Sequence, residues 1–370
     1  MLEIFTALWD KVTSRLSDQN VEALQDSVKA LNYELSMLRY KDSDDADIQL
    51  AYQYLKQRPF CAALFPYELV REMPSVDVHF DKKLKMCYVL HDGKPLYFPI
   101  AENAKLVRLL YLYALVDDDI LGNGYRQRSP HAFQSERYHI EAGDVLIDAG
   151  GWVAKDMIDD STDEVLNDVM NAIVEDAVEK VKDKVHKNSQ ESTEIKENRY
   201  VEKDVGSARG LLALDVIDRV SKVYLVEKSK RWWKPLHATF APYKDKVEFV
   251  KGDLLEDKQD PKKKKKKATI RLADLLGRCG QQRVFVMMDM EGQELEVLRE
   301  AQEYLRTATN PITLAVCAYH RTTDYADLLH FFETIGYQTE TQPGYMYTDM
   351  NDGHGLHSLR RGVIRASNVI

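Results

Sequence analysis

The spacing of apolar residues changes along this chain, and each change predicts a different kind of element. Leu2, Phe5, Leu8, Trp9, Val12 and Leu16 recur at helical intervals, and so do Val21, Leu24, Val28, Leu31 and Leu35 after a polar helix start at Ser17–Asn20. The spacing predicts a helical region over 1–75. From Val76 to Ile100 the period falls to two, with Asp92-Gly93 between two alternating runs, which predicts short antiparallel strands joined by a tight hairpin. Asn103 to Val116 returns to the helical period and gives way to a segment rich in turn formers up to about 137. The region 76–137 therefore reads as a small hairpin-and-helix cap.

Beyond 138 the pattern is an alternation. Val145 to Asp148 is a short apolar run closed by an acid and by Gly150 and Gly151. KVYLVE (Lys222–Glu227), VEFVKGD (Val247–Asp253) and VFVMMDMEG (Val284–Gly292) are apolar runs that also end in acidic residues. Ile312–Cys317, a strand starting at Gly336-Tyr337 and GVIRA (Gly362–Ala366) complete the set of strands, and helical stretches of roughly ten to fifteen residues lie between most of them. Such alternation predicts right-handed βαβ units. The expected fold is α/β, a mostly parallel seven-stranded sheet over 138–370. Two segments interrupt it. Residues of about 155–203 carry a valine stripe (Val165, Val169, Val178, Val181, Val185) and read as a helical insertion. Residues 258–268 contain Lys262–Lys267, six adjacent like charges that predict an exposed loop.

Composition narrows the classes. The 370 residues are 44% apolar with a net charge of −9, enough for a sizeable core and opposed to nucleic-acid binding by the chain as a whole. No apolar run approaches the roughly 18 residues of a membrane span. The first residues lack the basic start and long apolar centre of a signal peptide. Cys61, Cys87, Cys279 and Cys317 are widely spaced, with no CxxC pair. Together these features predict a cytoplasmic setting, no disulfide framework and no zinc knuckle.

The chemistry gathers at the strand ends. Asp204, Gly206 and Gly210 open a glycine-rich turn onto an apolar helix, and Glu227 ends the strand that follows. Asp253 and Asp289 end later strands, and Asp148 ends an earlier one. In an open α/β sheet the carboxyl ends of the strands form the ligand crevice. Glycines allow the backbone to approach a ligand closely, and a carboxylate at the second strand end can accept both ribose hydroxyls. Nicotinamide enzymes use the same device. A site lined by Asp148, Glu227, Asp253 and Asp289 suits a cationic sulfonium better than two phosphates.

The ordered set DVGSARG (Asp204–Gly210), VYLVE (Val223–Glu227) and DMEGQELEVL (Asp289–Leu298) resembles the FkbM family of S-adenosylmethionine-dependent methyltransferases. So do Ser129-Pro130-His131, Ala318-Tyr319-His320 and the terminal RRGVIRA (Arg360–Ala366). The resemblance covers roughly residues 88 to 366. It implies a class I methyltransferase-like (Rossmann-like) fold and S-adenosylmethionine as cofactor. It further implies O-methylation of a hydroxyl on a small molecule or glycan, with Asp148, Gly150, Asp204, Gly206, Gly210, Glu227, Asp253 and Asp289 at the cofactor. His320, Asp289, Glu291 and His131 are the candidates for acid–base work.

The sequence departs from that pattern twice. The first strand and the glycine turn are separated by the insertion, so Gly150 and Gly151, Gly206 and Gly210, or both pairs could serve the cofactor. Arg209 stands inside the turn, where a guanidinium facing a sulfonium would be repulsive unless it points away or the site is altered. Two competing readings follow: a nicotinamide-dependent oxidoreductase or epimerase, which lacks its GxGxxG spacing here, and a non-catalytic methyltransferase-like scaffold. The N-terminal and insertion helices are candidate surfaces for assembly with a second copy.

Overall fold

The structure is a computed structural model, and it describes residues 33–35, 37–57, 74–100, 103–117, 119–122, 129–150, 209–252, 254, 270–348 and 358–369. The N-terminal helices over 1–32, the insertion over 155–203 and the lysine run lie outside the described residues. All described residues belong to one compact unit, formed by Met1–Trp152 and Ala208–Ile370.

Helix α1 (Ala46–Lys56) starts at Asp45, whose carboxylate accepts the Asp47 and Ile48 backbone N–H groups. Strands β1 (Val78–Asp81), β2 (Met86–His91) and β3 (Lys94–Tyr97) form an antiparallel sheet, as the alternation predicts. Its turn at Asp92-Gly93 has positive φ at both residues, 48° and 78°, which matches the twist of the flanking strands. Helix α2 (Ala104–Leu112) follows, and its last part relaxes into a π turn over Tyr113–Asp117.

The large sheet contains β4 (Val145–Gly150), β5 (Lys222–Glu227), β6 (Val247–Lys251), β7 (Val284–Asp289), β8 (Ile312–Cys317), β9 (Gln338–Thr341) and β12 (Val363–Ser367). Its order is β6-β5-β4-β7-β8-β12-β9. The pairs β4/β5, β5/β6, β4/β7 and β7/β8 are parallel, while β12 runs antiparallel to both β8 and β9. This is the mostly parallel seven-stranded α/β sheet that the alternation predicts. The strands of its centre read as continuous apolar runs because both faces are covered. Helices α3 (Leu211–Val216), α4 (Lys230–Thr239), α5 (Leu272–Cys279), α6 (Glu294–Glu300), α7 (Gln302–Thr307) and α8 (Asp324–Thr334) connect and cover the strands. Between β7 and β8 the helical stretch is in two parts, α6 and α7, meeting at Ala301.

Val145, Ile147 and Ala149 on alternate positions of β4 share one apolar cluster with Leu275 and Leu276 of α5, Leu298 of α6 and Phe332 of α8. A further hairpin, β10 (Met346–Thr348) with β11 (Ser358–Arg360), was not expected from the sequence, since each strand is only three residues long. Arg361, just after it, ties α1 to this end of the chain. Its guanidinium contacts Asp47 at 3.0 Å and Asp45 at 3.2 Å and lies over the Tyr345 ring. Among the described residues no helix is long and apolar enough to cross a membrane.

Candidate functional site

The chain runs from β4 through β5 to β6 on one side, then returns to place β7 and β8 on the other. The order reverses between β4 and β7, and open α/β sheets have their ligand crevice at the carboxyl ends of the strands at such a reversal. Three acidic strand ends meet there: Asp148 on β4, Glu227 on β5 and Asp289 on β7, all buried. Gly150 makes the closeness possible. Its φ is 114°, and a Cβ on it would lie 2.0 Å from the Asp289 carbonyl oxygen.

Among the described residues, neither buried carboxylate oxygen of Asp148 has a hydrogen-bond partner. Burial, with Glu227 and Asp289 nearby, pushes its carboxyl up to about 7 against the opposing pull of Arg209. A buried carboxylate with orphaned oxygens is the arrangement expected where a cation, or a ligand's ammonium group, completes a site.

Glu227 is fully engaged. Its Oε2 accepts from Arg209 Nη1 in a short buried ion pair, and its Oε1 accepts the Ser229 backbone N–H at 2.6 Å. Arg209 therefore does not turn away from the strand ends. It lies over the Trp232 ring, 6.0 Å from its centroid, and its Nε has no partner among the described residues. Gly210 beside it adopts φ 78° at the start of α3, where a Cβ would meet Leu236 at 2.9 Å and Phe240 at 3.1 Å. Asp204, Gly206, Gly151 and Asp253 lie outside the described residues.

On the other side of the crevice a second cluster is built around Asp289. His320 is completely buried and bridges two carboxylates, Nε2 at 3.2 Å from Asp289 Oδ1 and Nδ1 at 3.1 Å from Glu294 Oε1. The distances are those of ion pairs, although neither contact has hydrogen-bond alignment. Burial disfavours the charged ring, but the two carboxylates prevail and raise it to about 10. Burial would likewise raise the Asp289 carboxyl; His320, backed by His131 and Cys317, holds it below its ordinary value. Asp289 Oδ1 also accepts from the Tyr319 hydroxyl at 3.3 Å, and that hydroxyl lies 2.7 Å from His131 Nε2. A polar chain thus runs Glu294–His320–Asp289–Tyr319–His131.

The terminal segment holds this chain in place. Arg360 donates to the carbonyls of Tyr319 and His320 at 2.9 and 3.0 Å. Val363 donates to the Pro130 carbonyl at 2.8 Å, and a Cβ on Gly362 would lie 1.7 Å from the same oxygen. Buried Arg365 donates to the Ala132 carbonyl at 2.7 Å. Ser129-Pro130-His131, Ala318-Tyr319-His320 and RRGVIRA, distant in sequence, are therefore one assembly.

Two groups in this assembly have metal-ligand chemistry, Asp289 with Glu294 and His320, and His131 with Asp289 and Cys317. In the first, the Asp289 and Glu294 carboxylates favour the protonated ring of His320, which has no lone pair to offer a metal. Of the four candidate acid–base residues, His131, Asp289 and His320 are buried, and Glu291 is half-buried at the end of β7. Glu291 has φ 59°, a left-handed conformation that is strained for a non-glycine residue. Glu294, which pairs with His320 and accepts the Met290 N–H at 2.6 Å, was not singled out from the sequence. Its signal was there: it shares a helical face with buried Val297 and Leu298, an unusual place for an unpaired acid.

No family model matches this sequence, and no curated protein matches it either. Among solved structures, the methyltransferase FkbM from Methylobacillus flagellatus KT is similar over 62% of this chain, at 14% identity and a TM-score of 0.32. The match spans 44% of that protein's length. The precorrin 8w decarboxylase of Methanobacterium thermoautotrophicum is similar over 62% of this chain and 83% of its own, at 11% identity and a TM-score of 0.29. A precorrin-6y C5,15-methyltransferase from Geobacter metallireducens GS-15 gives 62% and 82%, at 10% identity and a TM-score of 0.29.

Proposed function

We propose that this chain is an S-adenosylmethionine-dependent methyltransferase that transfers the methyl group to a hydroxyl of a small molecule or glycan. The observation that carries the reading is the crevice at β4, β5 and β7, with the orphaned Asp148 carboxylate at its centre and Glu227 at the next strand end. Asp148 fits the ammonium of the cofactor's amino-acid moiety, and Glu227 fits its ribose. Two phosphates brought against Asp148 and Asp289 would be repelled, which counts against a nicotinamide cofactor.

When bound, the cofactor supplies an electrophilic methyl on a cationic sulfur. The chain's own residues do the rest by positioning, which is where most of the rate of an in-line displacement arises. His320 keeps its proton at neutral pH, so it serves as a fixed cation that orients Asp289 and Glu294 rather than as a base. Asp289 is held ionised and accepts from Tyr319, which in turn fixes His131. Glu291 is the candidate with access to solvent, and its strained backbone supports a role facing the acceptor.

One observation favours a second reading, a cofactor-binding scaffold without catalysis: the carboxylate best placed for ribose is already paired with Arg209. Titration of Glu227→Gln with S-adenosylhomocysteine tests the cofactor assignment. Loss of charge-assisted bonds to the ribose weakens binding by about tenfold to a hundredfold. A folded variant that binds within a few-fold of the parent contradicts the assignment.

A further inference from the structure

We propose that Arg209 sets the affinity for a ribose-bearing cofactor by competing with the ribose hydroxyls for the Glu227 carboxylate. The proposal rests on the cofactor reading above and adds a specificity-determining residue to it.

Glu227 offers two oxygens, and each already has a donor, Arg209 on one and the Ser229 N–H on the other. A ribose hydroxyl forms a hydrogen bond with one charged partner, whereas the guanidinium bond is charged on both sides and stronger. Arg209 is 6% exposed and Glu227 5%, so the pair is shielded from water and its attraction is little screened. A ribose must then open the pair or share its acceptor.

The second observation concerns the guanidinium itself. Among the described residues its buried Nε has no partner, so Arg209 is not held there by a complete hydrogen-bond set as Arg365 is, with Ala132, Glu340 and Gln342 around it. A structural arginine at this depth satisfies its donors. Arg209 is also next to Gly210, whose left-handed φ of 78° forms the start of α3. It is carried by the residues that open α3, and the Trp232 ring already lies under it, a face that can keep the guanidinium when a ribose takes the Glu227 carboxylate.

Removal of the competitor therefore tightens cofactor binding, although it leaves Glu227 buried without its counter-charge. Calorimetric titration with S-adenosylhomocysteine of the parent, Arg209→Gln and Arg209→Met reads the effect, with the 2′,3′-dideoxy analogue as control. The expected result is about tenfold tighter binding of S-adenosylhomocysteine by the variants and no such gain for the analogue. Equal or weaker binding of S-adenosylhomocysteine by the variants overturns the proposal, as does an equal gain for both ligands. Absence of binding by parent and variants alike overturns the cofactor reading itself. Where the variants do not fold, the parent carries the test. Its Trp232 fluorescence, taken as the difference from Trp232→Phe, must change when S-adenosylhomocysteine binds, because the guanidinium leaves or re-seats over the ring. An unchanged Trp232 signal at saturating ligand overturns the competition.

Discussion

Gly150 and Asp289 approach each other so closely across β4 and β7 that a single methyl group on Gly150 would lie 2.0 Å from the Asp289 carbonyl oxygen. The contact is backbone to side-chain position, and no rotamer change relieves it. Gly150 also has φ 114°, where an L side chain is strained in any case. Gly150→Ala is expected to lose at least about 3 kcal/mol in urea unfolding, through strain and separation of the two central strands. A variant within about 0.5 kcal/mol of the parent would show that the strand ends are not held this tightly.

His320 predicts a pH window. Its folded-state value is raised to about 10 from 6.5 by Asp289 and Glu294. The folded state then binds a proton that the unfolded chain releases, so its stabilisation is complete below about pH 6.5 and is lost as pH rises through 10. Unfolding free energy measured by urea titration is expected to fall across that window. His320→Gln removes that slope and, at neutral pH, costs about 3–5 kcal/mol, because two buried carboxylates lose their shared cation. An unchanged slope in the variant would remove His320 as its source.

Asp148 predicts the opposite relation between stability and binding. Its carboxyl is raised from 3.8 to about 7, so the folded protein is progressively destabilised as pH rises between these values, and the full penalty is present above 7. Asp148→Asn is expected to match the parent near pH 4 and to exceed it at pH 8 by about 2–4 kcal/mol. The same variant is expected to lose affinity for S-adenosylhomocysteine. A variant that is no more stable at pH 8, or that binds as well as the parent, would deny Asp148 the role of a site kept incomplete for a ligand.

Much of this arrangement was legible in the residues. Continuous apolar runs ending in acids gave β4, β5 and β7, because strands covered on both faces need no alternation. The pairing of three distant motifs was not legible. His131, Tyr319 and His320 meet only because β12 runs antiparallel beside β8 and brings Gly362 under Pro130. Nothing in the spacing of either segment encodes that contact. Glu294 was hidden inside a helical stripe, and its purpose appears only once His320 is beside it. Arg209 was noticed as a misfit in the turn, but whether its side chain faced away or toward Glu227 depended on α3 and β5 being brought together.

Under the proposed function, the crevice at the ends of β4, β5 and β7 takes a cationic, ribose-bearing cofactor rather than a dinucleotide. Isothermal titration of the unmodified chain with S-adenosylhomocysteine and with NAD, side by side at neutral pH, tests it most directly. Saturable binding of S-adenosylhomocysteine at one site per chain is expected, with no measurable heat from NAD. Saturable binding of NAD, or no binding of S-adenosylhomocysteine, would contradict it.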